Sequence, residues 1–156
     1  MSKLIPLTRG KFAIVDGEDY ECMIRLKWHV TTNGYARGQL DGHFVLMPRL
    51  ILNAQVGEEC GHIDGNRLNN VRSNLRIVTR SQNQGNRFKQ KSPTSSQYKG
   101  VYWHVERKKW YAMIYQDGIN YYLGRFVDEI DAARAYDSAA IMRFGEYARL
   151  NFPEVT

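Results

Sequence analysis

The chain has 156 residues, of which 43% are apolar and 12% aromatic, the composition of a folded globular protein. Its net charge of +6 and its pI near 9.4 favour an anionic partner such as nucleic acid, although a basic surface without a partner fits these numbers equally well. Cys22 and Cys60 form no C-x-x-C pair, which excludes a cysteine-rich zinc site. We see neither a signal peptide nor a membrane span, so a cytoplasmic protein without a membrane partner is expected.

The first third of the chain predicts short strands joined by tight turns. Asn33-Gly34 and Asp41-Gly42 are strong hairpin signals. Trp28 is interpreted as a core residue. Met47 to Asn53 predicts a short helix packed on this small sheet, in which Arg49 is interpreted as a surface or phosphate-facing residue. The expected strands are 11–16, 28–32, 35–40 and 43–46.

A polar stretch follows at residues 60–87, with one His, one Asp and six Asn. Short amide side chains suit turns, caps and ligand positions better than a packed core. Residues 58–62 and 74–79 predict two antiparallel strands joined by a long polar connection, and residues 80–88 predict a helix. The stretch is therefore interpreted as a small hairpin-plus-helix site.

Composition changes at residues 87–97, which hold three basic residues, no acid, one proline and a Ser/Thr cluster. This composition predicts a flexible basic linker that is able to lie along a phosphate backbone. We therefore expect two domains, at residues 1–87 and 97–156, joined by a linker at 88–96.

The second domain is expected to be a three-stranded antiparallel sheet, with strands at 98–105, 110–116 and 120–126. The helix predicted at 128–144 has acids in its first turn, five alanines, and Gly145 as its stop signal. Period-two alternation divides the sheet into an apolar face for this helix and an outward face. The apolar face holds Val101, Trp103, Val105, Ala112, Ile114, Tyr121 and Leu123. The outward face holds Lys99, Tyr102, His104, Tyr111, Met113, Tyr115 and Tyr122.

Hydrolysis of a phosphodiester requires an activated water and charge stabilisation, which a histidine and one hard cation are able to supply. Residues 60–87 resemble the HNH endonucleases, in particular those of phages and mobile elements with Asn in the third motif position. The resemblance covers roughly residues 11–88, including Met47-Pro48-Arg49-Leu50-Ile51 upstream. The motif pieces are Gly61-His62-Ile63-Asp64-Gly65-Asn66, Asn69-Asn70, Asn74-Leu75-Arg76 and Ser81-Gln82-Asn83.

The resemblance implies roles for single residues. His62 would be the general base, Asn74 would hold the loop by side-chain to backbone hydrogen bonds, and Asn83 would be a ligand of Mg²⁺ or Mn²⁺. Asp64 and Asn66 would shape the turn. The residues expected to contact phosphate are Arg76, Arg80 and Arg87, together with Lys89 and Lys91 of the linker. The pattern differs at Gly61, where these nucleases often have a ligating Asp, and at Pro48, where His is common.

Residues 97–153 resemble the Apetala-two/ethylene-response-factor DNA-binding domains, which lay a three-stranded sheet in the major groove. The pieces are Tyr98-Lys-Gly-Val, Lys109-Trp-Tyr-Ala-Met-Ile, Tyr122-Leu-Gly-Arg-Phe, Asp131-Ala-Ala-Arg-Ala-Tyr-Asp-Ser-Ala-Ala and Ala148-Arg-Leu-Asn-Phe-Pro. The resemblance implies DNA contacts from Lys99, Tyr102, His104, Met113, Tyr115 and Tyr122, and backbone contacts from Lys108 and Lys109. Several of these positions are Arg in the plant relatives, so their base preference does not transfer.

The sequence therefore predicts an α+β protein with a ββα-metal domain and a sheet domain packed on one helix. Its expected function is metal-dependent cleavage of double-stranded DNA, targeted by the C-terminal domain, in a homing-type nuclease of a phage or mobile element. One alternative is an HNH-derived DNA-binding protein with little or no catalysis, which Gly61 favours. Another is an interaction protein whose tyrosine face binds a protein partner.

Overall fold

The computed structural model describes residues 1–89 and 94–153. Contacts divide the chain into two compact units, Met1–Thr79 and Arg80–Thr156. Both combine small antiparallel sheets with helices, so the predicted α+β class is confirmed. In the described part of the chain, every helix is too short or too polar to cross a membrane.

The strands of the first unit form three antiparallel sheets of two, three and two strands, each built from strands that are consecutive in the chain. The predicted hairpins at Asn33-Gly34 and Asp41-Gly42 are present, and Gly34 and Gly42 have positive φ. The elements are β1 (Ser2–Pro6), β2 (Phe12–Asp16), α1 (Gly17–Met23), β3 (His29–Val30), β4 (Ala36–Leu40), β5 (His43–Leu46), α2 (Met47–Ile51), β6 (Glu59–His62) and β7 (Leu75–Val78).

The core of the first unit joins these sheets. Trp28 is 3% exposed, which agrees with its prediction as a core residue. Met47 of α2 is fully buried. Alternation along β2 buries Ala13 and Val15. Leu75 of β7 packs into the same cluster and so attaches the β6–β7 hairpin to the rest of the unit.

Strand β1 is not indicated by the sequence pattern. Leu4, Ile5 and Pro6 are consecutive apolar residues without period-two alternation, and proline lacks a ladder donor. The strand nevertheless pairs along its whole length with β2, from Ser2 opposite Asp16 to Pro6 opposite Phe12. Only Ile5 of this strand is buried, which explains the weak signal.

The second unit contains α3 (Arg80–Gly85), β8 (Val101–His104), β9 (Lys109–Gln116), β10 (Ile119–Phe126) and α4 (Glu129–Phe144). The sheet order is β10–β9–β8, and α4 packs on one face, as predicted. Asp128 caps α4 by accepting a hydrogen bond from the backbone N–H of Ile130 at 2.7 Å. Gly145 ends the helix with φ of 52°.

The apolar face is largely the expected one, with Val101, Ala112 and Ile114 buried against α4. Val105 was assigned to this face and is 75% exposed, because β8 ends at His104 and the turn begins there. On α4, Ile130 is 42% exposed, whereas Ala132 is fully buried.

Helix α3 belongs to the second compact unit. It contacts α4, β9 and the turn Gly145–Tyr147, and the backbone N–H of Arg149 donates to Gly85 O at 3.1 Å. The compact units therefore divide before residue 80, whereas the predicted domain boundary lies after residue 87. The domain boundary after residue 87 stays a prediction.

Candidate active site and nucleic-acid interface

His62 is the last residue of β6 and lies opposite Leu75 of β7. Its side chain is buried, and its ring centroid is 5.9 Å from that of Tyr35. The hairpin therefore holds the imidazole at the point where β6 enters the polar connection, in a poorly hydrated environment.

Asn70 contacts the His62 ring. Nε2 of His62 is 3.2 Å from Oδ1 of Asn70, and Asn70 is completely buried. An amide oxygen only accepts hydrogen bonds, so this contact is a hydrogen bond in the tautomer that carries its proton on Nε2. The sequence shows Asn70 as part of a doubled asparagine but does not reveal this contact.

Strand β2 holds Asn70 in place. The backbone N–H of Asn70 donates to Ile14 O at 2.7 Å, and the backbone N–H of Ile14 donates to Leu68 O at 2.8 Å. Residues 68–70 thus add a short parallel bridge to β2. The N-terminal hairpin therefore fixes the amide that in turn orients the histidine.

A hydrogen-bonded network closes the connection between β6 and β7. Oδ1 of Asn74 accepts from the backbone N–H of Asp64 at 2.9 Å, and Nδ2 of Asn74 donates to Asn69 O at 2.7 Å and to Asp64 Oδ1 at 2.9 Å. Oδ1 of Asp64 also accepts from the backbone N–H of Asn66, and its Oδ2 accepts from Nδ2 of Asn69. Side-chain amides thus replace the backbone partners that a regular turn would provide.

The same network sets the charge of Asp64. Burial acts to raise the pKa of this carboxyl, but the hydrogen bonds from Asn69, Asn66 and Asn74 outweigh it and lower the pKa below its usual value. Asp64 is therefore ionised at neutral pH, with both oxygens engaged inside the loop.

Replacing Asn74 by alanine should destabilise this loop. The change leaves the backbone N–H of Asp64 and the carbonyl of Asn69 without their side-chain partner, at a cost of about 1–3 kcal/mol. Amide hydrogen exchange at residues 62–75 measures the loss. Asn33→Ala, at an exposed hairpin turn, is the matched control. Equal protection in the two variants would contradict the structural importance of Asn74.

Arg72 ties the segment before β7 to α1. Its guanidinium makes two hydrogen bonds with the Asp19 carboxylate, at 2.9 and 2.7 Å, and its backbone N–H donates to Asp16 Oδ2 at 2.7 Å. Glu18 lies 3.2 Å from the same guanidinium. These contacts join residues that are far apart in sequence, and no motif indicates them.

The contacts of Arg49 differ from those predicted for a surface or phosphate-facing residue. Its guanidinium donates to the backbone carbonyls of Ala54, Gln55 and Glu58. The side chain therefore stabilises the loop that leads from α2 into β6. These three backbone partners give Arg49 a structural role.

The residues around His62 do not by themselves fit a hard divalent cation, which prefers several oxygen ligands including a charged one. Gly61 has no side chain and lies opposite Arg76 of β7, a cation, and Asp64 is engaged in the loop. Within residues 1–89 and 94–153, the one acid, His or Cys cluster of metal-binding size is Asp16, Glu18 and Asp19. Arg72 already compensates its charge.

The remaining motif residues lie in the second unit. Asn83, the expected metal ligand, is half-buried on α3, and Arg80 at the start of that helix is exposed. Arg87 is exposed and Lys89 is half-buried. Lys91 falls outside the described residues.

The outward face of the second sheet is an aromatic cluster. The ring centroid of Tyr111 lies 5.7 Å from that of Tyr102, 4.9 Å from that of His104 and 5.5 Å from that of Tyr122. Tyr122 and Tyr115 are 55% and 47% exposed. The alternation pattern is correct for these residues and for Met113, which is half-buried on β9. Contact of this face with DNA stays a prediction.

The lysines of this unit take different positions. Lys99 precedes β8 and was expected on the outward face, but its ammonium donates to Gly85 O at 2.8 Å and lies 5.7 Å from the centroid of Tyr136 on α4. The alternation fails because Gly100, with φ of 74°, turns the chain before the strand begins. Lys108 is exposed in the β8–β9 turn, and Lys109 lies opposite His104 at the start of β9.

Comparison with known proteins identifies the class of protein. Residues 55–84 match a family model described as HNH endonuclease. An HNH endonuclease of Acanthamoeba polyphaga mimivirus, itself described as uncharacterized, is 31% identical over 149 residues, which cover 92% of this chain and 76% of that protein. The chain belongs to the HNH endonuclease family.

A second similarity is to plant proteins. A protein of Oryza sativa subsp. japonica with AP2/ERF and B3 domains is 48% identical over 59 residues, or 38% of this chain and 16% of that protein. APETALA2-like protein 2 of Oryza sativa subsp. indica is 45% identical over 58 residues, or 37% of this chain and 13% of that protein. The chain therefore spans only a small part of these plant proteins. No solved structure matches it.

Proposed function

We propose that the protein is a DNA endonuclease that hydrolyses phosphodiester bonds with His62 as its general base. The observation that carries the proposal is the buried position of His62 at the end of β6, with its Nε2 3.2 Å from Oδ1 of the buried Asn70. Membership of the HNH endonuclease family supports nuclease function in general. The imidazole takes a proton from water, the water oxygen bonds to phosphorus, and the bond from phosphorus to the leaving oxygen breaks, with its electron pair going to that oxygen.

The charge state of His62 suits this role. Burial lowers the pKa of the imidazole, while the hydrogen bond to Asn70 and the charge of Asp64 oppose this effect and are outweighed. The neutral, basic form therefore predominates at neutral pH.

This charge state gives a prediction for the pH dependence of cleavage. Because the folded pKa lies below the ordinary value of 6.5, the base remains competent until the pH falls below that value. We expect the acid limb of the kcat/KM profile to have its midpoint below pH 6.5, as measured by initial rates of plasmid nicking between about pH 5 and 8. A midpoint above 6.5 would mean that another group titrates, or that His62 is charged in the free enzyme.

HNH nucleases are generally metal-dependent. We propose Mg²⁺ or Mn²⁺ as the ion, with Asn83 as one protein ligand. Gly61 has no carboxylate, and that of Asp64 is hydrogen-bonded within the loop, so the negatively charged ligands would be phosphate oxygens of the bound DNA. A bound ion would stabilise the charge that develops on the phosphate.

The second unit is proposed to target the DNA. Its exposed tyrosines and His104 suit contacts with sugar, phosphate or thymine methyl groups, and exposed Lys108 suits a backbone contact. The similarity to the AP2-type plant proteins supports a DNA partner. Two weak DNA-binding modules in one chain raise each other's effective concentration at a site. The viral relative supports an origin in a virus or mobile element.

One alternative is a DNA-binding protein in which the HNH fold no longer cleaves, and Gly61 is the residue that favours it. The test is incubation of the purified full chain with supercoiled plasmid and either Mg²⁺ or Mn²⁺. Conversion to open-circle or linear DNA supports the nuclease. Salt-sensitive DNA binding without cleavage in either metal supports the alternative, since phosphate contacts weaken steeply as salt rises.

A further inference from the structure

The second unit contains a cavity of about 520 Å³ that is not part of the proposed catalytic site. It lies between the end of α3, the segment before β8 and the outward part of the sheet. A volume of this size accommodates a small organic ligand. The lining residues that carry the argument are Arg87, Lys89, Lys99, Tyr102, Tyr115 and Asn120.

The cavity wall is positively charged. Arg87, Lys89 and Lys99 line it, and none of the described lining residues is acidic. Burial, together with the charges of Arg149 and Arg87, lowers the pKa of Lys99 to about 8, so this cation lacks full compensation from Asp137. An anion bound here would relieve both the desolvation and the repulsion.

Asn120 gives the cavity a neutral hydrogen-bonding group. It is exposed near the start of β10 and lies in the lining. Its amide oxygen accepts hydrogen bonds, so a ligand with an N–H group at this point would be favoured.

Aromatic and apolar side chains form the rest of the wall. Tyr102, Met113 and Tyr115 come from the outward face of the sheet, and Phe88, also in the lining, is 57% exposed. Flat heterocycles stack on such rings, and each base–aromatic stack contributes roughly 1–3 kcal/mol.

An anion, an N–H donor edge and a flat ring are combined in a nucleotide. We propose that this cavity binds one unpaired nucleotide, with its phosphate near Arg87 and Lys89, its base stacked on tyrosine, and an N–H group of the base donating to Asn120. Two sources offer this chemistry: a free nucleoside monophosphate, or an unstacked nucleotide of a DNA strand. The DNA source rests on the proposed function, whereas the nucleotide site itself does not.

The test uses the full chain and two fluorescent duplexes that are identical except for one unpaired central nucleotide. We expect the duplex with the unpaired nucleotide to bind roughly tenfold more tightly, by fluorescence anisotropy, than the fully paired duplex. Asn120→Leu should abolish this preference, and Tyr115→Ala, at a half-exposed strand position, should reduce it. Asn33→Leu, the same change as Asn120→Leu at an exposed position outside the lining, should leave it intact.

Competition with deoxynucleoside monophosphates distinguishes the sources. Displacement of the unpaired-nucleotide probe by free monophosphates at low concentration assigns the site to free nucleotides, and a preference without displacement assigns it to DNA. Equal affinity of the wild-type chain for both duplexes, with no displacement, overturns the proposal. Binding and cleavage of the paired duplex report on the proposed nuclease function separately, so the two failures remain distinguishable.

Discussion

Alanine at position 62 is expected to lower the rate of DNA cleavage by about 10²- to 10⁴-fold, the usual contribution of a positioned general base. His62 is buried beside Asn70, so alanine removes the proton acceptor and provides no substitute. Single-turnover cleavage of plasmid DNA measures the effect, because it isolates the chemical step from product release.

The matched control is His29→Ala, which removes an exposed histidine from β3 of the same unit. We expect His29→Ala to cleave at the wild-type rate and His62→Ala to retain duplex binding. Since His62→Ala also leaves Asn70 Oδ1 without its partner, a thermal melt must accompany the assay. Wild-type cleavage by a folded His62→Ala variant would exclude His62 as the base.

Alanine at position 28 is expected to cost about 3–5 kcal/mol in the stability of the first unit. The indole of Trp28 is 3% exposed, and its Nε1 donates to Met23 O at 2.7 Å. Gly38 of β4 lies against the ring, since a Cβ atom added there would be 3.0 Å from Trp28 Cε3. Because the backbone of β4 lies directly against the ring, neighbouring groups have little room to move into the cavity that alanine would leave.

Phe44→Ala is the control for this change. Phe44 lies on β5 of the same sheet, is 67% exposed and has the Arg37 guanidinium 4.3 Å from its ring centroid. Its loss should cost less than about 1 kcal/mol. Hydrogen exchange of the β3–β5 amides reports the local free energy of unfolding for both variants. Similar exchange in the two variants would contradict the assignment of Trp28 to the core.

Local patterns in the sequence predict much of the fold. Hairpin turns at Asn33-Gly34 and Asp41-Gly42, the position of α4 and the outward tyrosines all follow from turn chemistry, capping and alternation, which depend on near neighbours. The alternation pattern assigns a side chain to the wrong face where a strand ends early, as at Val105, or where a glycine redirects the chain, as at Lys99. Such ends depend on φ/ψ angles that composition does not specify.

The candidate site is predicted less completely. His62 and Asn74 are recognisable because they belong to a motif of spaced polar residues. The contacts of Asn70 with His62, of Arg72 with Asp19 and of Arg49 with three carbonyls join residues that no local pattern relates. These partners become visible only once the chain has folded, and they are the groups that orient and support the motif.

The bridge between residues 68–70 and Ile14 limits how the nuclease motif can be transplanted. A cassette cut to residues 55–84, the segment that the family model matches, leaves behind the strand that accepts the hydrogen bond from Asn70. Such a graft would carry the histidine without the strand that holds Asn70 beside its ring. A working chimera must therefore bring the N-terminal hairpin along with the motif, and recombination within the first unit would separate parts that function only together.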